Sequence, residues 1–284
     1  MSDQTRAAAA QFSRQAAAYA ASASHAGGDD LNLVLALAAP AAGEACLDLA
    51  TGPGHTAARL AARLGDLGSG FVAGLDVAPG MIAVARERAA AADLANLAYL
   101  IGDVHALPFP AARLDLVTCR IAPHHFHDVA GFLREAARVL KPGGRLVVED
   151  SLAPDEPAVA AFLEALEKRR DATHVHTLGR AEWHAACAAA GLAVVRETVY
   201  RKRHPFDLWI RRTGLSDAEV SAIAAHILAA PPAIRSALFE IEAGGVAALL
   251  DNKLIFRAEP AARAGRNRKT CRQDRQKLVS EITR

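Results

Sequence analysis

Short apolar runs alternate with amphipathic stretches through the first half of the chain. The runs predict buried strands, because they are rich in Leu, Val, Ala and Ile and stop at turn-forming residues. The stretches between them place apolar residues at helical spacing. The predicted strands are 46–50, 71–75, 97–101, 114–119 and 145–149, and the predicted helices between them are 55–64, 80–92 and 129–140. This alternation favours an α/β fold with a doubly wound, mostly parallel sheet.

The pattern changes on either side of this core. An Ala-rich helix over 5–23 and a shorter helix over 31–37 predict an N-terminal helical arm, residues 1–42. Later in the chain we expect helices at 157–170, 181–190, 216–229 and 231–249, and strands at 193–201 and 253–257. No linker composition separates these elements from the core, so we predict a single domain over 1–260. Its parts would be a cofactor half, 43–150, and a substrate half, 151–260, with a helical insertion at 213–250.

Charge distinguishes the end of the chain from the rest. Residues 261–284 contain eight Lys/Arg and two Asp/Glu, a net +6, so the other 260 residues carry −4 of the chain's total of +2. No aromatic residue lies among these charges, which disfavours nucleic-acid binding. We interpret 261–284 as a disordered, dispensable tail.

Several protein classes are disfavoured by composition. The chain lacks the pattern of a secretory signal and any apolar run close to the roughly 20 residues of a membrane span, so we expect a cytoplasmic protein without a membrane partner. Its four cysteines, Cys46, Cys119, Cys187 and Cys271, are scattered without CxxC spacing, and we expect neither a disulfide framework nor a metal site. For the oligomeric state, a homodimer is an open alternative.

A glycine motif follows the first predicted strand. In the segment 46–57, CLDLATGPGHTA, Gly52 and Gly54 fall at the edge where a doubly wound sheet binds ligands. Asp76 ends the next strand, 24 residues after Gly52, where a carboxylate can bind the hydroxyls of an adenosine ribose. These features fit a nicotinamide dinucleotide as well as another adenosine cofactor.

Two further carboxylates separate the cofactor classes. Asp48 lies inside the first strand, and Asp103 comes directly after the third. A cofactor with an ammonium group, an adenine amine and no pyrophosphate would use both of them. Taken singly, Asp76 and Asp103 are equally well explained as helix-cap or turn residues.

With these residues in order, the chain resembles the class I S-adenosylmethionine-dependent methyltransferases, in particular the branch like the ubiquinone/menaquinone C-methyltransferases. The resemblance covers about residues 10–260 and implies a Rossmann-like methyltransferase fold with an antiparallel C-terminal strand. The matching motifs are LDLATGPG at 47–54, GLDVAPGMIAVA at 74–85, GDVHALPF at 102–109, LDLVTCRIAPHHF at 114–126 and LKPGGRLVVED at 140–150.

The resemblance implies a role for each motif residue in binding S-adenosylmethionine. Glycines of the loop would lie under the methionine part, and the strand carboxylates would orient it and hold the ribose. The later motif residues would bind or cover the adenine, and the helical arm would close over the cofactor. The predicted cofactor residues are Asp48, Ala50, Gly52, Gly54, Asp76, Val77, Met81, Asp103, Val104, Arg120, Tyr19 and His25.

Three of these residues have an alternative interpretation or depart from the family. Ala50 replaces the first glycine of the family's pattern, and its methyl group is compatible with a negative φ. Met81 is equally a core residue. Arg120 would pair with the cofactor carboxylate, or else form an ordinary ion pair.

Histidines after the fourth strand are the candidates for catalysis. A histidine that titrates near neutrality beside the donor methyl could accept the acceptor's proton. We predict His125 as the base, with His124 as the alternate, against a surface or packing role for each. Asp128 is the one carboxylate near them, and we do not predict zinc.

The variable second half should hold the acceptor. His174 and His176 are predicted to line its pocket, with a solvated loop as the alternative. Phe206 and Trp209 would make that pocket apolar or pack in the core.

The sequence thus predicts an S-adenosylmethionine-dependent methyltransferase acting on a small-molecule acceptor by direct in-line transfer. The alternatives are an NAD(P)-dependent oxidoreductase on a Rossmann fold and a non-catalytic S-adenosylmethionine-binding protein. The oxidoreductase is disfavoured because no Tyr-x-x-x-Lys pair follows the core strands and Asp103 would have no role.

Overall fold

A computed structural model of the chain describes residues 1–22 and 26–261. Eight strands form one sheet in which five neighbouring strands are parallel. In chain order the elements are α1 (Asp3–Ala20), α2 (Asp29–Ala38), β1 (Ala45–Leu49), α3 (His55–Asp66), β2 (Phe71–Asp76), α4 (Pro79–Ala91), β3 (Leu97–Ile101), β4 (Leu114–Arg120), α5 (Val129–Val139), β5 (Leu140–Ser151), α6 (Pro157–Arg170), α7 (Arg180–Ala189), β6 (Leu192–Pro205), α8 (Phe206–Ile210), α9 (Asp217–Ala229), α10 (Pro232–Leu238), β7 (Phe239–Glu242) and β8 (Gly245–Pro260).

The strand order is β3-β2-β1-β4-β5-β8-β6, with β7 pairing with β8. The order reverses between β1 and β4, so the loops after these two strands flank a crevice at the carboxyl edge of the sheet. The doubly wound, mostly parallel fold is confirmed. The C-terminal region is more extended than predicted, because β6, β7 and β8 all take part in antiparallel pairs.

Apolar clusters cover both faces of the sheet. One contains Leu47, Phe132 and Trp183, and the other contains Leu60, Ile82 and Tyr99. The central parallel strands are buried on both sides, which is why they appear in the sequence as nearly continuous apolar runs. A third cluster lies among α6, α8, α9 and α10 and includes Trp209.

The predicted helix over 231–249 is wrong beyond residue 238. Phe239–Glu242 and the start of β8 form a hairpin, and β8 continues for 16 residues between β5 and β6. The insertion predicted at 213–250 is therefore only partly helical. A sequence signal was present: apolar and polar residues alternate in FEIE, and the pair Gly244-Gly245 follows.

Residues Lys141–Gly144 are part of a strand irregularity. Leu140 already pairs with Leu114, and regular pairing resumes where Arg145 meets Leu116. The intervening residues bulge from β5, and Gly143 adopts a φ of 82° there. β5 consequently begins where α5 ends.

The described residues contain no single helix long and apolar enough to cross a membrane; α9 and α10 meet that criterion only jointly, as a bent pair. Among the described residues, Cys46, Cys119 and Cys187 are buried and form no disulfide. The predictions for His25, Cys271 and the basic tail beyond residue 261 fall outside the described residues.

Candidate active site

The crevice at the strand-order reversal is a cavity, here called the main cavity, that encloses about 970 Å³ including its open mouth. All the residues that line it fall between Thr5 and His127. Most of the predicted cofactor residues are brought together in it. These are Tyr19, Asp48, Ala50, Gly52, Asp76, Val77, Met81, Asp103, Val104 and Arg120.

The two positions of the motif require glycine for different structural reasons. Gly52 has a φ of +55°, and a Cβ placed on it would meet nothing within 4 Å, so its backbone faces open space in the main cavity. Gly54 is not among the residues that line the cavity, so its predicted contact with the cofactor stays a prediction. A Cβ on Gly54 would clash with Tyr99 Oη, and its φ of +83° precedes the first turn of α3. Packing and the turn therefore require glycine at this position.

Ala50 adopts a backbone conformation that favours glycine. Its φ is +48°, although the sequence interpretation required a negative value to accommodate the methyl group. An L-residue with a side chain pays roughly 1–2 kcal/mol for this left-handed region. The position therefore keeps the geometry that a glycine would adopt, with strain.

Asp48 is a buried carboxyl group at the base of the main cavity. It accepts hydrogen bonds from the hydroxyls of Thr51 (2.6 Å) and Thr118 (2.7 Å). Burial raises its pKa to about 6, and the two hydroxyls offset only part of that rise. A cation that entered the cavity would favour the ionised form.

Asp76 connects the glycine loop to the start of α4. Its carboxylate accepts the backbone N–H of Gly52 at 2.8 Å and that of Ala78 at 2.9 Å. Burial raises the pKa of Asp76 against the effect of these N–H groups. Each carboxylate oxygen retains capacity for a further hydrogen bond, which a ribose hydroxyl could supply.

Asp103 is engaged by a residue that the sequence interpretation missed. Its Oδ1 accepts from the backbone N–H of His105 at 3.0 Å and lies 2.6 Å from His105 Nδ1. These contacts lower the pKa of Asp103 although burial opposes them. The Nε2 atom of His105 is buried without a hydrogen-bond partner in the described residues. A histidine two residues after a predicted ligand was the available signal.

Arg120 lines the main cavity, but its guanidinium already has internal partners. Nη1 lies 2.6 Å from Asp30 Oδ2, and Nε donates to Thr56 Oγ1 at 3.1 Å. Glu149 is 3.9 Å away. The contact of Arg120 with a cofactor carboxylate therefore stays a prediction, in competition with this buried ion pair.

Helix α1 covers the main cavity. Its Phe12 and Tyr19 pack edge to face, and both contact the cluster that contains Met81. Met81 both packs in this cluster and lines the cavity, so its two interpretations hold together.

His55, another residue that the sequence interpretation missed, also lines the main cavity. Its Nδ1 accepts a hydrogen bond from Arg88 at 3.0 Å, and burial lowers the pKa of His55 to about 4.

A second cavity adjoins the main one. It shares Phe12, Tyr19, Ile121 and His125 with the main cavity. Apart from these and His124, all its lining residues come from 151–253, the half predicted to hold the acceptor. Basic and acidic side chains make this second cavity far more polar than the predicted apolar pocket.

His125 lies where the two cavities meet. Its Nδ1 is 3.1 Å from the carbonyl oxygen of Thr173, which can only accept, so Nδ1 carries the proton. Thr173 Oγ1, which donates to Asp171 at 2.7 Å, is 3.2 Å from the same Nδ1. Nε2 is left with a lone pair and has no hydrogen-bond partner in the described part of the chain. Burial, and then the charge on His124, hold the pKa of His125 well below its ordinary value.

His124 differs from its neighbour. It lines the second cavity but not the main one, and its Nδ1 lies 2.6 Å from Asp150 Oδ1. Burial would lower the pKa of His124, but the Asp150 carboxylate outweighs burial and raises it. His124 is thus the partner of a buried carboxylate rather than a neutral base.

The two predicted substrate histidines are separated. His174 is buried in the second cavity, with Nε2 3.2 Å from Glu164 Oε2. His176 lines neither cavity, its side chain is 49% exposed, and it contacts Glu182 at 3.1 Å. The structure therefore does not bring His176 into the second cavity with His174. Trp209 lines the second cavity, while Phe206 packs in the third cluster.

Within the described ranges, no group of three His, Cys, Asp or Glu side chains is arranged to hold a metal ion.

Comparison with known proteins bears on the family. The family described as "Methyltransferase domain" matches residues 47–148. The uncharacterized methyltransferase YcgJ of Bacillus subtilis is 33% identical over 216 residues, which are 76% of this chain and 83% of YcgJ. The chain belongs to the class I methyltransferases.

Solved structures agree with this assignment. The crystal structure of YcgJ superposes with a TM-score of 0.77 at 28% identity and covers 83% of this chain and 99% of that protein. The demethylmenaquinone methyltransferase of Thermus thermophilus is 43% identical over 112 residues, 39% of this methyltransferase and 49% of the relative. That similarity spans about half of the relative and leaves the acceptor of this methyltransferase open.

Proposed function

We propose that this methyltransferase transfers the methyl group of S-adenosylmethionine to a small-molecule acceptor bound in the second cavity. The observation that carries the proposal is the junction of the two cavities. Phe12, Tyr19 and His125 line both, so a donor in the main cavity and an acceptor in the second would face each other there.

The residues of the main cavity fit S-adenosylmethionine. Gly52 leaves open space beside the backbone, and the buried carboxyl of Asp48 is suited to a cationic methionine group. Asp76 and Asp103 present carboxylates for a ribose and an adenine amine. When bound, this cofactor supplies an electrophilic methyl group on a sulfonium.

The protein's own contribution is mainly positioning. Residues of α1 cover the junction and exclude water, and holding donor and acceptor in line can supply roughly 7–11 kcal/mol of the barrier. Where the acceptor must lose a proton, His125 Nε2 is the atom that accepts it. The Nδ1 contacts to Thr173 hold the ring in the required tautomer.

Calorimetric titration with S-adenosylmethionine, S-adenosylhomocysteine and NAD tests the cofactor. We expect the first two to bind and NAD not to bind; preferential binding of NAD would overturn the proposal in favour of an oxidoreductase. An acceptor screen that detects S-adenosylhomocysteine then distinguishes an enzyme from a binding protein.

A further inference from the structure

The basic side chains of the second cavity are mostly paired with carboxylates. Arg170 lies 2.8 Å from Glu167, and Lys253 lies 2.7 Å from Asp251. Lys202 is paired in the same way with Asp30, at 3.1 Å. Each of these cationic side chains already has a carboxylate partner and therefore needs no anionic ligand.

Arg212 is different. It belongs to the short 3₁₀ turn at 211–213, is partly buried and lines the second cavity. No hydrogen bond or ion pair joins its guanidinium to any residue in the described ranges. Burial and the nearby charge of Arg170 lower the pKa of Arg212, although the side chains of Tyr19 and Glu167 act in the opposite direction. A guanidinium that is partly removed from water without a directly hydrogen-bonded or ion-paired carboxylate carries a desolvation cost that a bound anion would offset.

The adjacent arginine shows what an ordinary surface position looks like in this turn. Arg211 is exposed, lines neither cavity, and its Nη1 lies 2.6 Å from Asp217 Oδ1. The sequence gives the two arginines the same surroundings, and only the fold directs one of them into the cavity. Arg211 therefore offers a matched control.

We infer that the methyl acceptor carries an anionic oxygen group, a carboxylate or a phosphate, that binds to Arg212 in the second cavity. The inference rests on the proposed function, because it assigns the acceptor to this cavity. Arg170, whose guanidinium lies over the Trp209 ring at 4.9 Å, forms an adjoining wall, so a second cationic side chain lies near Arg212. A small organic acid or a phosphate matches this charge.

The test measures binding of simple anions to the full chain saturated with S-adenosylhomocysteine. Benzoate probes for a carboxylate, inorganic phosphate probes for a phosphate, and benzamide is the uncharged counterpart of benzoate. We expect at least one anion to bind, and benzoate, if it is that anion, to bind more tightly than benzamide. Arg212→Gln should weaken the binding of that anion by about 10-fold or more, as for loss of a charge-assisted hydrogen bond. Arg212→Lys should weaken it less, and Arg211→Gln should leave it unchanged.

Three results would overturn the inference. One is that wild-type protein binds neither anion at about 10 mM, the range where a weak single-site contact is still measurable. Another is that benzamide binds as tightly as benzoate while phosphate does not bind. The last is an equal loss of anion affinity in Arg211→Gln and Arg212→Gln. S-adenosylhomocysteine affinity, measured first on the same samples, separates the two proposals: its absence in wild type contradicts the proposed function, whereas normal cofactor binding without anion binding contradicts only this inference.

Discussion

Asp150 accepts two hydrogen bonds from His124, one from ring Nδ1 at 2.6 Å and one from the backbone N–H at 2.7 Å. This contact favours a proton on His124, and the resulting charge disfavours one on the adjacent ring of His125. Two neighbouring histidines of similar sequence context thus have opposite protonation preferences. His125 is therefore the neutral member of the pair.

His125→Ala should lower turnover by roughly 10²–10⁴-fold on an acceptor that must lose a proton, the usual range for general acid–base catalysis. S-adenosylhomocysteine affinity should change little, and His124→Ala should have a much smaller effect on turnover. Steady-state kinetics with calorimetry on the three proteins checks this. Full activity of both variants would mean that catalysis comes from positioning alone.

The pH dependence expected of His125 differs from that of an ordinary histidine. Because its pKa is lowered, the neutral form persists as the pH falls through the usual histidine range, and activity through this residue declines only at more acidic pH. The decline is therefore expected at a lower pH than for an unperturbed histidine. Rates measured against pH at saturating cofactor, in wild type and in His125→Ala, would show the pH at which activity through His125 declines.

Asp48 should make cofactor binding pH-dependent. Its pKa is raised to about 6, so it is protonated below that pH and ionised above it. A cationic ligand favours the ionised form, so S-adenosylmethionine affinity should rise with pH by up to about 10-fold per unit below the pKa and then level off. Calorimetry across this range checks the prediction, and Asp48→Asn should remove the slope. An unchanged slope in the variant would assign the titration elsewhere.

In the protein without ligand, the raised pKa of Asp48 also makes the free energy of unfolding depend on pH, and this effect has the opposite sign. A carboxyl whose pKa is higher in the folded state than in the unfolded state stabilises the fold at low pH. Its contribution is lost as the pH rises from the ordinary value of 3.8 to about 6. Comparing urea denaturation of wild type and Asp48→Asn over this interval would reveal it.

Asp76→Ala should weaken S-adenosylmethionine binding by on the order of 1.5–3 kcal/mol, because a charged acceptor for the ribose hydroxyls is lost. The free energy of unfolding should also fall, since the N–H groups of Gly52 and Ala78 lose their partner. Calorimetry and thermal unfolding separate the two effects. Asp115→Ala is the control, because Asp115 accepts a backbone N–H from Ala45 at 2.9 Å but lines neither cavity. Equal affinities for the two variants would contradict the assignment.

Ala50→Gly should raise the free energy of unfolding by about 0.5–1 kcal/mol, because relief of the left-handed strain exceeds the entropy that glycine adds to the unfolded chain. Ala92 is a suitable control, since it is exposed and has a φ of −98°. Ala92→Gly should instead lower stability by a similar amount. Chemical denaturation of both variants gives the comparison; a loss of stability in Ala50→Gly would show that the strain is not released.

The parallel core could be predicted from sequence because its strands are buried on both faces and bounded by turn residues. The hairpin at 239–260 was harder, since its stability depends on β6, a strand more than 30 residues earlier in the chain. The carboxylates of the main cavity were predicted from their places after successive strands. Arg212 was not, because only tertiary packing distinguishes it from Arg211.

The two cavities draw on different stretches of the chain, the main one on residues up to His127 and the second largely on residues after 150. Natural selection can therefore alter the later stretch to suit a new acceptor while the methyl donor stays the same. Phe12, Tyr19, Ile121 and His125 line both cavities, at the place where the two ligands would meet. Divergence among relatives of this enzyme should accordingly be greatest around the second cavity and least at these four shared positions.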